Sequence, residues 1–132
     1  MSDPFRLDGK RAVVTGAGKG IGRGISLQLA RAGADLVISS RTQEDLDSLA
    51  IEIEALGRQA TKVVVDVTNT TEVEDLAAQA VAGGGIDVWV NSAGGLPDAT
   101  PRYLTRTPED RWDAQLDLNL KAVFIACQVA AN

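Results

Sequence analysis

The chain has 132 residues, of which 45% are hydrophobic and 23% are charged, and this size and balance are typical of one globular domain. Its net charge of −5, with no lysine- or arginine-rich run, argues against nucleic acid or an anionic membrane surface as a partner. The absence of histidine and of any bilayer-length apolar stretch excludes histidine acid–base catalysis, most zinc sites and a membrane span from these residues, so we expect a cytoplasmic protein without a metal site.

The first half of the chain alternates short apolar runs with helical patterns. Strands are predicted at about 11–15, 35–39 and 60–65. The first helix spans about 20–32, has Ile21 on its apolar face and ends at Gly33. The second helix opens with Thr42 as its N-cap and Asp45 three residues on, carries Leu46, Leu49, Ile53 and Leu56 at helical spacing, and ends at Gly57.

The second half continues the same alternation. A third helix begins at Thr70 or Thr71 and ends at 83–85, and a fourth strand follows at 87–90. A long irregular loop then runs from 91 to about 107, and its length marks it as a candidate for function.

The last helix opens with Thr107 as N-cap and Pro108 at the first helical position. It carries one continuous apolar stripe to the end of the chain, made of Trp112, Leu116, Leu120, Val123 and Cys127. The single cysteine, Cys127, cannot form an intrachain disulfide, which suits a reducing compartment, and we expect a packed small side chain rather than a nucleophile.

Four rounds of strand and helix predict an α/β fold of three layers, a doubly wound parallel sheet. Right-handed crossovers and the Rossmann arrangement predict the strand order 3-2-1-4 for this part of the sheet. A ligand is then expected over the carboxyl ends of strands one and four, where the strand order reverses.

The stretch from Thr15 to Gly22 joins the first strand to the first helix through a glycine-rich turn. Its backbone N–H groups and the positive helix end suit a phosphate, although such a turn can also simply reverse the chain. Neither G-x-G-x-x-G nor the P-loop pattern fits, and the spacing that remains is T-G-x-x-x-G-x-G. With this spacing the sequence resembles the short-chain dehydrogenase/reductase family. The resemblance implies that a dinucleotide binds at Thr15, Gly16, Gly18, Lys19, Gly20, Ile21 and Gly22.

The second strand ends in Ser39, Ser40 and Arg41, where the resemblance places the adenosine ribose. An acidic residue there would hold the 2′-hydroxyl of NAD, whereas a guanidinium can bind a 2′-phosphate through two parallel hydrogen bonds. Lys19 adds a second cation nearby, and basic residues at these two places accompany NADP preference in the resembling family. We therefore expect NADP(H) to be favoured over NAD(H), unless both side chains are only solvated surface charges.

The third and fourth strands also end in polar residues. The resemblance implies that Asp66, with the backbone N–H of Val67, contacts the adenine ring; the alternative is a local Asx turn. After the fourth strand the sequence reads Asn91-Ser92-Ala93-Gly94, and the family motif is Asn-Asn-Ala-Gly, so Ser92 departs from it. Resemblance makes Asn91, Ala93 and Gly94 a floor beside the ribose of the cofactor.

Asn119 stands in the last helix beside its apolar stripe, where an amide is costly unless hydrogen-bonded. The run from Asp117 to Lys121 matches the helix in which the family carries the asparagine of an Asn-Ser-Tyr-Lys catalytic set. The role implied is to hold a water in a proton relay. The alternative is a structural amide that bonds to the fourth strand.

The other catalytic residues implied by the family are not found here, because the only tyrosine, Tyr103, is followed four residues later by Thr107. We expect residues 1–132 to be the amino-terminal NAD(P)-binding part of a longer oxidoreductase, inactive alone. The whole protein would exchange a hydride with a small-molecule carbonyl or secondary alcohol and would form a homo-oligomer, a dimer or tetramer. A non-catalytic dinucleotide sensor and a half-domain that acts through protein contacts remain alternatives.

Overall fold

A computed structural model describes residues 3–132 and contains a four-stranded parallel sheet with helices on both faces. The strands are β1 (Arg11–Thr15), β2 (Asp35–Ser40), β3 (Ala60–Val64) and β4 (Val88–Asn91). The helices are α1 (Gly20–Ala32), α2 (Gln43–Ala55), α3 (Thr70–Ala82), α4 (Glu109–Leu116) and α5 (Ala122–Ala131). Leu104–Arg106 form a single 3₁₀ turn before α4, and a π-helical turn, Asp117–Lys121, joins α4 to α5.

The sheet has the order β3-β2-β1-β4, and every neighbouring pair is parallel. In the central register Val13 of β1 lies opposite Val37 of β2 and Trp89 of β4. The predicted fold class and strand order are therefore confirmed, and the order reverses between β1 and β4 as expected.

Alternate strand residues supply two separate hydrophobic cores, because successive side chains point to opposite faces of a sheet. On one face Val14 and Ile38 pack with Leu46 and Leu49 of α2. On the other face Val13 packs with residues of α3 and with Ala126 of α5. All these side chains are fully or almost fully buried, and the two cores fix the sheet between its helical layers.

The helix ends follow the predicted signals in part. Gly33 ends α1 in the left-handed region (φ 110°), where its N–H reaches Ala30 O and Leu29 O. Thr42 occupies the N-cap position of α2, but its side chain makes no capping hydrogen bond. Instead its backbone is held by Ser40 Oγ, which accepts from Thr42 N at 3.2 Å. Ile21 also lies outside the predicted apolar face, since its side chain is 79% exposed.

The last helix differs most from the prediction. Pro108, rather than Thr107, occupies the N-cap position of α4, and the Thr107 hydroxyl donates to Tyr103 O at 3.1 Å. In the π-helical turn the N–H of Ala122 donates to Asp117 O, five residues back, so one extra residue enters the turn. A single helical stripe cannot continue through such a turn.

The side chains that this last segment buries also differ from the prediction. Ala122 and Ala126 are buried, whereas Trp112, Leu116 and Leu120 of the predicted stripe are exposed. The prediction that Cys127 is packed is also wrong: its thiol is exposed, and Asn91 Nδ2 lies 3.2 Å from Sγ. No helix within residues 3–132 combines the length and the apolar character needed to cross a membrane.

Candidate functional site

A cavity of about 810 Å³ lies over the carboxyl ends of the strands. It is lined by many of the residues predicted to bind a cofactor, namely Gly16, Gly18, Lys19, Ile21, Gly22, Ser40, Arg41, Asp66, Val67, Ala93 and Gly94. Segments that follow all four strands thus meet at one opening, which is where an open α/β sheet binds its ligand.

Five predicted site residues lie next to this cavity without lining it: Thr15, Gly20, Ser39, Asn91 and Asn119. Thr15 and Ser39 are buried inside the sheet, and Ser39 Oγ has no hydrogen-bond partner among residues 3–132. Gly20 is the first residue of α1, Asn91 is the last of β4, and Asn119 lies in the π-helical turn.

The glycine turn leaves an open cradle at the amino end of α1. Gly16 and Gly20 have φ values of 60° and 57°, a region that glycine occupies without steric cost. A Cβ at Gly22 would lie 2.1 Å from Gly16 O, so no other residue fits there. The first N–H groups of α1 lack helical partners and point out of this end. The turn therefore has the geometry that an anion such as a pyrophosphate requires.

Thr15 fastens the glycine turn to the loop after β4. Its hydroxyl accepts from Ser92 N at 3.2 Å and from Ala93 N at 3.3 Å, and it lies 3.4 Å from Val90 O. A Cβ on Gly16 would come within 2.6 Å of Ala93 Cα. The contact uses the backbone of Ser92, which explains how a serine is accommodated at the position where the sequence departs from the family motif.

Arg23 links the glycine turn to α2 through hydrogen bonds that the sequence did not predict. Its guanidinium donates to Gly18 O at 3.2 Å, to Asp45 O at 3.4 Å and to Ser48 Oγ at 3.0 Å, and it pairs with Glu52. These bonds join α1, the glycine turn and α2. The sequence gives no local signal for them, since the partners are brought together only by the packing of two helices.

The two cations at the cavity each lie near a carboxylate. Lys19 has a side chain that is 82% exposed, and its Nζ lies 3.6 Å from Oδ2 of Asp45, which also lines the cavity. Arg41 is exposed at the same opening, and its positive charge helps to lower the pKa of Asp66. The sequence predicts Asp45 only as part of a helix start, whereas the structure also places it in the cavity wall.

Asp66 forms the Asx turn that sequence reasoning gave as the alternative. Its Oδ1 accepts from the Thr68 hydroxyl at 2.7 Å and from Thr68 N at 2.9 Å. The hydroxyl, followed by the backbone N–H and the charge of Arg41, holds the pKa of the carboxyl below its ordinary value. A carboxylate has acceptor sites on both oxygens, so the turn leaves acceptor capacity for a ligand.

The side chain of Asn119 bonds to the loop after β4. Its Nδ2 donates to Gly95 O at 2.8 Å, and its Oδ1 accepts from Gly95 N at 2.9 Å. Nδ2 also lies 2.9 Å from Gln115 Oε1. This resembles the structural role considered for Asn119, with the loop rather than the strand itself as the partner.

Apolar residues also line the cavity, namely Leu96 and Pro97 of the loop after β4 and Ala114 and Leu118 of the last helical segments, with the acidic Asp117 beside them. Tyr103 does not line it and is 77% exposed. In residues 3–132 no three His, Cys, Asp or Glu side chains come together as a group that could hold a metal ion.

The known proteins most similar in sequence include oxidoreductases and reductases. The chain is 45% identical over 113 residues to an uncharacterised oxidoreductase of Mycobacterium tuberculosis, covering 85% of this chain and 42% of that protein. It is 38% identical to a 3-oxoacyl-[acyl-carrier-protein] reductase of Thermotoga maritima, covering 95% of this chain and 50% of the relative. The chain therefore spans about half the length of the curated relatives it matches.

Solved structures agree with the fold. A short chain dehydrogenase from Burkholderia cenocepacia, in complex with NADP, superposes with a TM-score of 0.87 at 39% identity, covering 96% of this chain and 51% of that one. A 7α-hydroxysteroid dehydrogenase complexed with NADH superposes with a TM-score of 0.89 at 36% identity, covering 96% and 49%. The family model described as short chain dehydrogenase matches residues 10–132. The chain thus belongs to the short-chain dehydrogenase/reductase family of oxidoreductases.

Proposed function

We propose that the whole protein transfers a hydride reversibly between NADP(H) and a small-molecule carbonyl or secondary alcohol. Residues 1–132 would supply its cofactor-binding domain. The observation that carries the proposal is the cavity at the carboxyl ends of the strands, bounded by the glycine cradle and the amino end of α1. Its volume of about 810 Å³ suits a ligand of cofactor size.

The residues present fit the cofactor that the family uses. The cradle between Gly16 and Gly22 would hold the pyrophosphate, and its shape requires glycine at both positions, because a Cβ at either would meet backbone atoms at 2.6 Å or less. Asp66 and the backbone of Val67 would hold the adenine, and Ala93 and Gly94 would floor the ribose near the nicotinamide. The bound nicotinamide would supply or accept the hydride.

The charge of the adenosine end favours NADP(H) over NAD(H). Ser40 and Arg41 stand where an acidic residue would otherwise receive the 2′-hydroxyl of NAD. Arg41 would bind the 2′-phosphate with a planar guanidinium, and Lys19 would add a point charge from the glycine turn. Relatives are solved with NADP in one case and NADH in another, so this assignment rests on the charges of this chain.

Asn119 acts in this proposal as a positioning residue that holds the loop beside the nicotinamide end. Its two bonds to Gly95 fix the backbone that follows Ala93 and Gly94. The proton-relay role implied by the family resemblance stays a prediction, to be tested in the whole enzyme. The homo-oligomer expected for the whole protein would use the exposed apolar side chains of α4 and α5, among them Trp112 and Phe124.

Titration of the purified chain with NADPH and NADH tests the cofactor assignment. We expect tighter binding of NADPH, and we expect Arg41→Asp to move the preference towards NADH. Arg106→Asp, which makes the same charge change in an exposed turn outside the cavity, should leave the ratio of affinities unchanged. An unchanged ratio in Arg41→Asp would contradict the NADP assignment.

A non-catalytic nucleotide sensor is the second candidate. The observation that favours it is that the Asn119 amide already bonds to Gly95 and Gln115, so it serves a structural role that does not require a proton relay. A sensor would bind NADPH without turning over any carbonyl or alcohol, whereas the oxidoreductase would consume NADPH with a panel of carbonyl substrates when assayed as the whole protein.

A further inference from the structure

Asp45 is an acidic residue that lines the cavity directly beside the glycine turn. Its Oδ2 lies 3.6 Å from Lys19 Nζ, and its side chain is only 26% exposed against 82% for Lys19. A Cβ placed on Gly18 would lie 2.9 Å from Asp45 Cβ, so the aspartate packs directly against the turn. The carboxylate is therefore fixed in place, while the lysine reaches over to it from solvent.

Two features hold Asp45 there. It is the third residue of α2, and the positive end of a helix favours a carboxylate in its first turn. Its carbonyl accepts from Arg23, whose guanidinium also bonds to Gly18 O. The carboxylate thus belongs to the wall of the proposed adenosine site. The ion pair with Lys19, by contrast, is longer than a hydrogen bond and is easily exchanged for another anion.

We infer that Asp45 is a specificity-determining residue, which competes with the 2′-phosphate of NADP for Lys19 and so limits the preference for NADP over NAD. The inference rests on the proposed function. A phosphate monoester carries about 1.5 to 2 negative charges at pH 7. To bind Lys19 it must break the ion pair between Lys19 and Asp45, and it is also repelled by the Asp45 carboxylate. A ribose 2′-hydroxyl meets neither cost, and the effect therefore falls on NADP alone.

The test uses 2′,5′-ADP and 5′-AMP, which differ by the 2′-phosphate and engage only the adenosine half of the site. Calorimetric titration of the chain at low ionic strength compares the parent with Asp45→Asn. We expect binding of 2′,5′-ADP to tighten by about three- to tenfold, and binding of 5′-AMP to change by less than about twofold. Asp47→Asn is the matched control, since Asp47 sits on the same helix but pairs with Lys62 and does not line the cavity.

The same substitution in a Lys19→Gln variant isolates the role of the lysine. In a Lys19→Gln background the gain from Asp45→Asn should shrink, because no ammonium is left to be released. An unchanged 2′,5′-ADP to 5′-AMP ratio in Asp45→Asn, an equal gain in Asp47→Asn, or a full gain without Lys19 would overturn the inference while leaving the proposed function standing. Failure of both nucleotides to bind the parent would overturn the proposed function and the inference together.

Discussion

Asn119 and Gly95 exchange two hydrogen bonds, one from Nδ2 to Gly95 O at 2.8 Å and one from Gly95 N to Oδ1 at 2.9 Å. The side-chain amide therefore pairs with a backbone amide as a strand would. It joins the π-helical turn between α4 and α5 to the loop that floors the cavity. The amide holds this loop at Gly95, a residue that has no side chain of its own to anchor it.

Replacement of Asn119 by alanine should destabilise the chain by about 1 kcal/mol, a modest value because the site is exposed in this chain. Urea denaturation measures the loss. Asn119→Asp should destabilise the chain at least as much as Asn119→Ala, since a carboxylate oxygen would face the acceptors Gly95 O and Gln115 O. Gln128→Ala, which truncates an exposed amide on α5, should change stability by less than about 0.5 kcal/mol. Equal losses in Asn119→Ala and Gln128→Ala would contradict the role of the bond to Gly95.

Two glycines of α1 should respond to alanine with opposite signs. Gly22→Ala places a Cβ 2.1 Å from Gly16 O, so we expect a loss of at least about 2 kcal/mol and loss of nucleotide binding. Gly24→Ala meets nothing within 4 Å and should stabilise the chain by about 0.5–1 kcal/mol, as alanine does in a helix interior. Thermal denaturation and an NADPH titration distinguish the two, and a stable Gly22→Ala that binds would refute the cradle.

The loop after β4 depends on Arg111. Its guanidinium donates to Asp98 O at 2.6 Å and to Thr100 O, and it lies 3.7 Å from the Asp98 carboxylate. Arg111→Ala should raise hydrogen exchange across residues 96–103. Arg111→Lys should not restore protection, because an ammonium cannot present the same planar fork to two carbonyls.

Arg106→Ala is the control for this measurement, since it removes an exposed guanidinium from the neighbouring 3₁₀ turn. Its exchange across the loop should match that of the parent. If Arg106→Ala increased exchange as much as Arg111→Ala, general charge loss rather than the carbonyl bonds would be responsible.

The Asx turn at Asp66 predicts a dependence on pH. Because the folded pKa lies below the ordinary value, the carboxylate contributes stability above the ordinary carboxyl range and loses it as the pH falls through the folded pKa. Thr68→Val removes the largest cause, so the pKa of Asp66 should rise towards its ordinary value in an NMR titration of the carboxyl carbon. The accompanying stability loss at neutral pH should be below about 1 kcal/mol, given the exposure of the site.

Thr71→Val, at an exposed position of α3, is the control for this titration. It should leave the Asp66 pKa in place. A stability difference between Thr68→Val and the parent that persisted unchanged into strong acid would contradict the assignment, since the carboxyl is then protonated in both.

Strand and helix positions were predictable from the sequence because they depend on local patterns. The apolar run of β2 and the stop at Gly33 are signals carried by a few adjacent residues. The parallel order followed from the alternation of strand and helix, and the glycine turn located the cavity. The fold class and the strand order are confirmed by the sheet and by the family match, whereas the binding of a ligand in the cavity stays a prediction.

The rest depended on contacts between distant residues. The pairing of Lys19 with Asp45 requires α2 to dock beside the glycine turn, and the ties of Arg23 require two helices to pack. The π-helical turn was hidden because a helical pattern in the sequence does not reveal an extra residue, so the stripe from Trp112 to Cys127 was extended through it. The cap at Thr107 was misplaced by one residue for a smaller reason, since its hydroxyl bonds back to Tyr103 O.

The hydroxyl of Thr15 accepts hydrogen bonds from two consecutive backbone amides of the loop after β4, one residue before the glycine turn begins. One hydroxyl therefore joins two walls of the cavity, so a change in the position of the glycine turn is passed to the backbone of the loop. A ligand that orders the glycine turn lowers the entropic cost of ordering the loop, and a ligand that orders the loop does the same for the turn. Thermodynamic linkage makes the two effects equal, so any two ligands that contact these two walls would each strengthen the binding of the other.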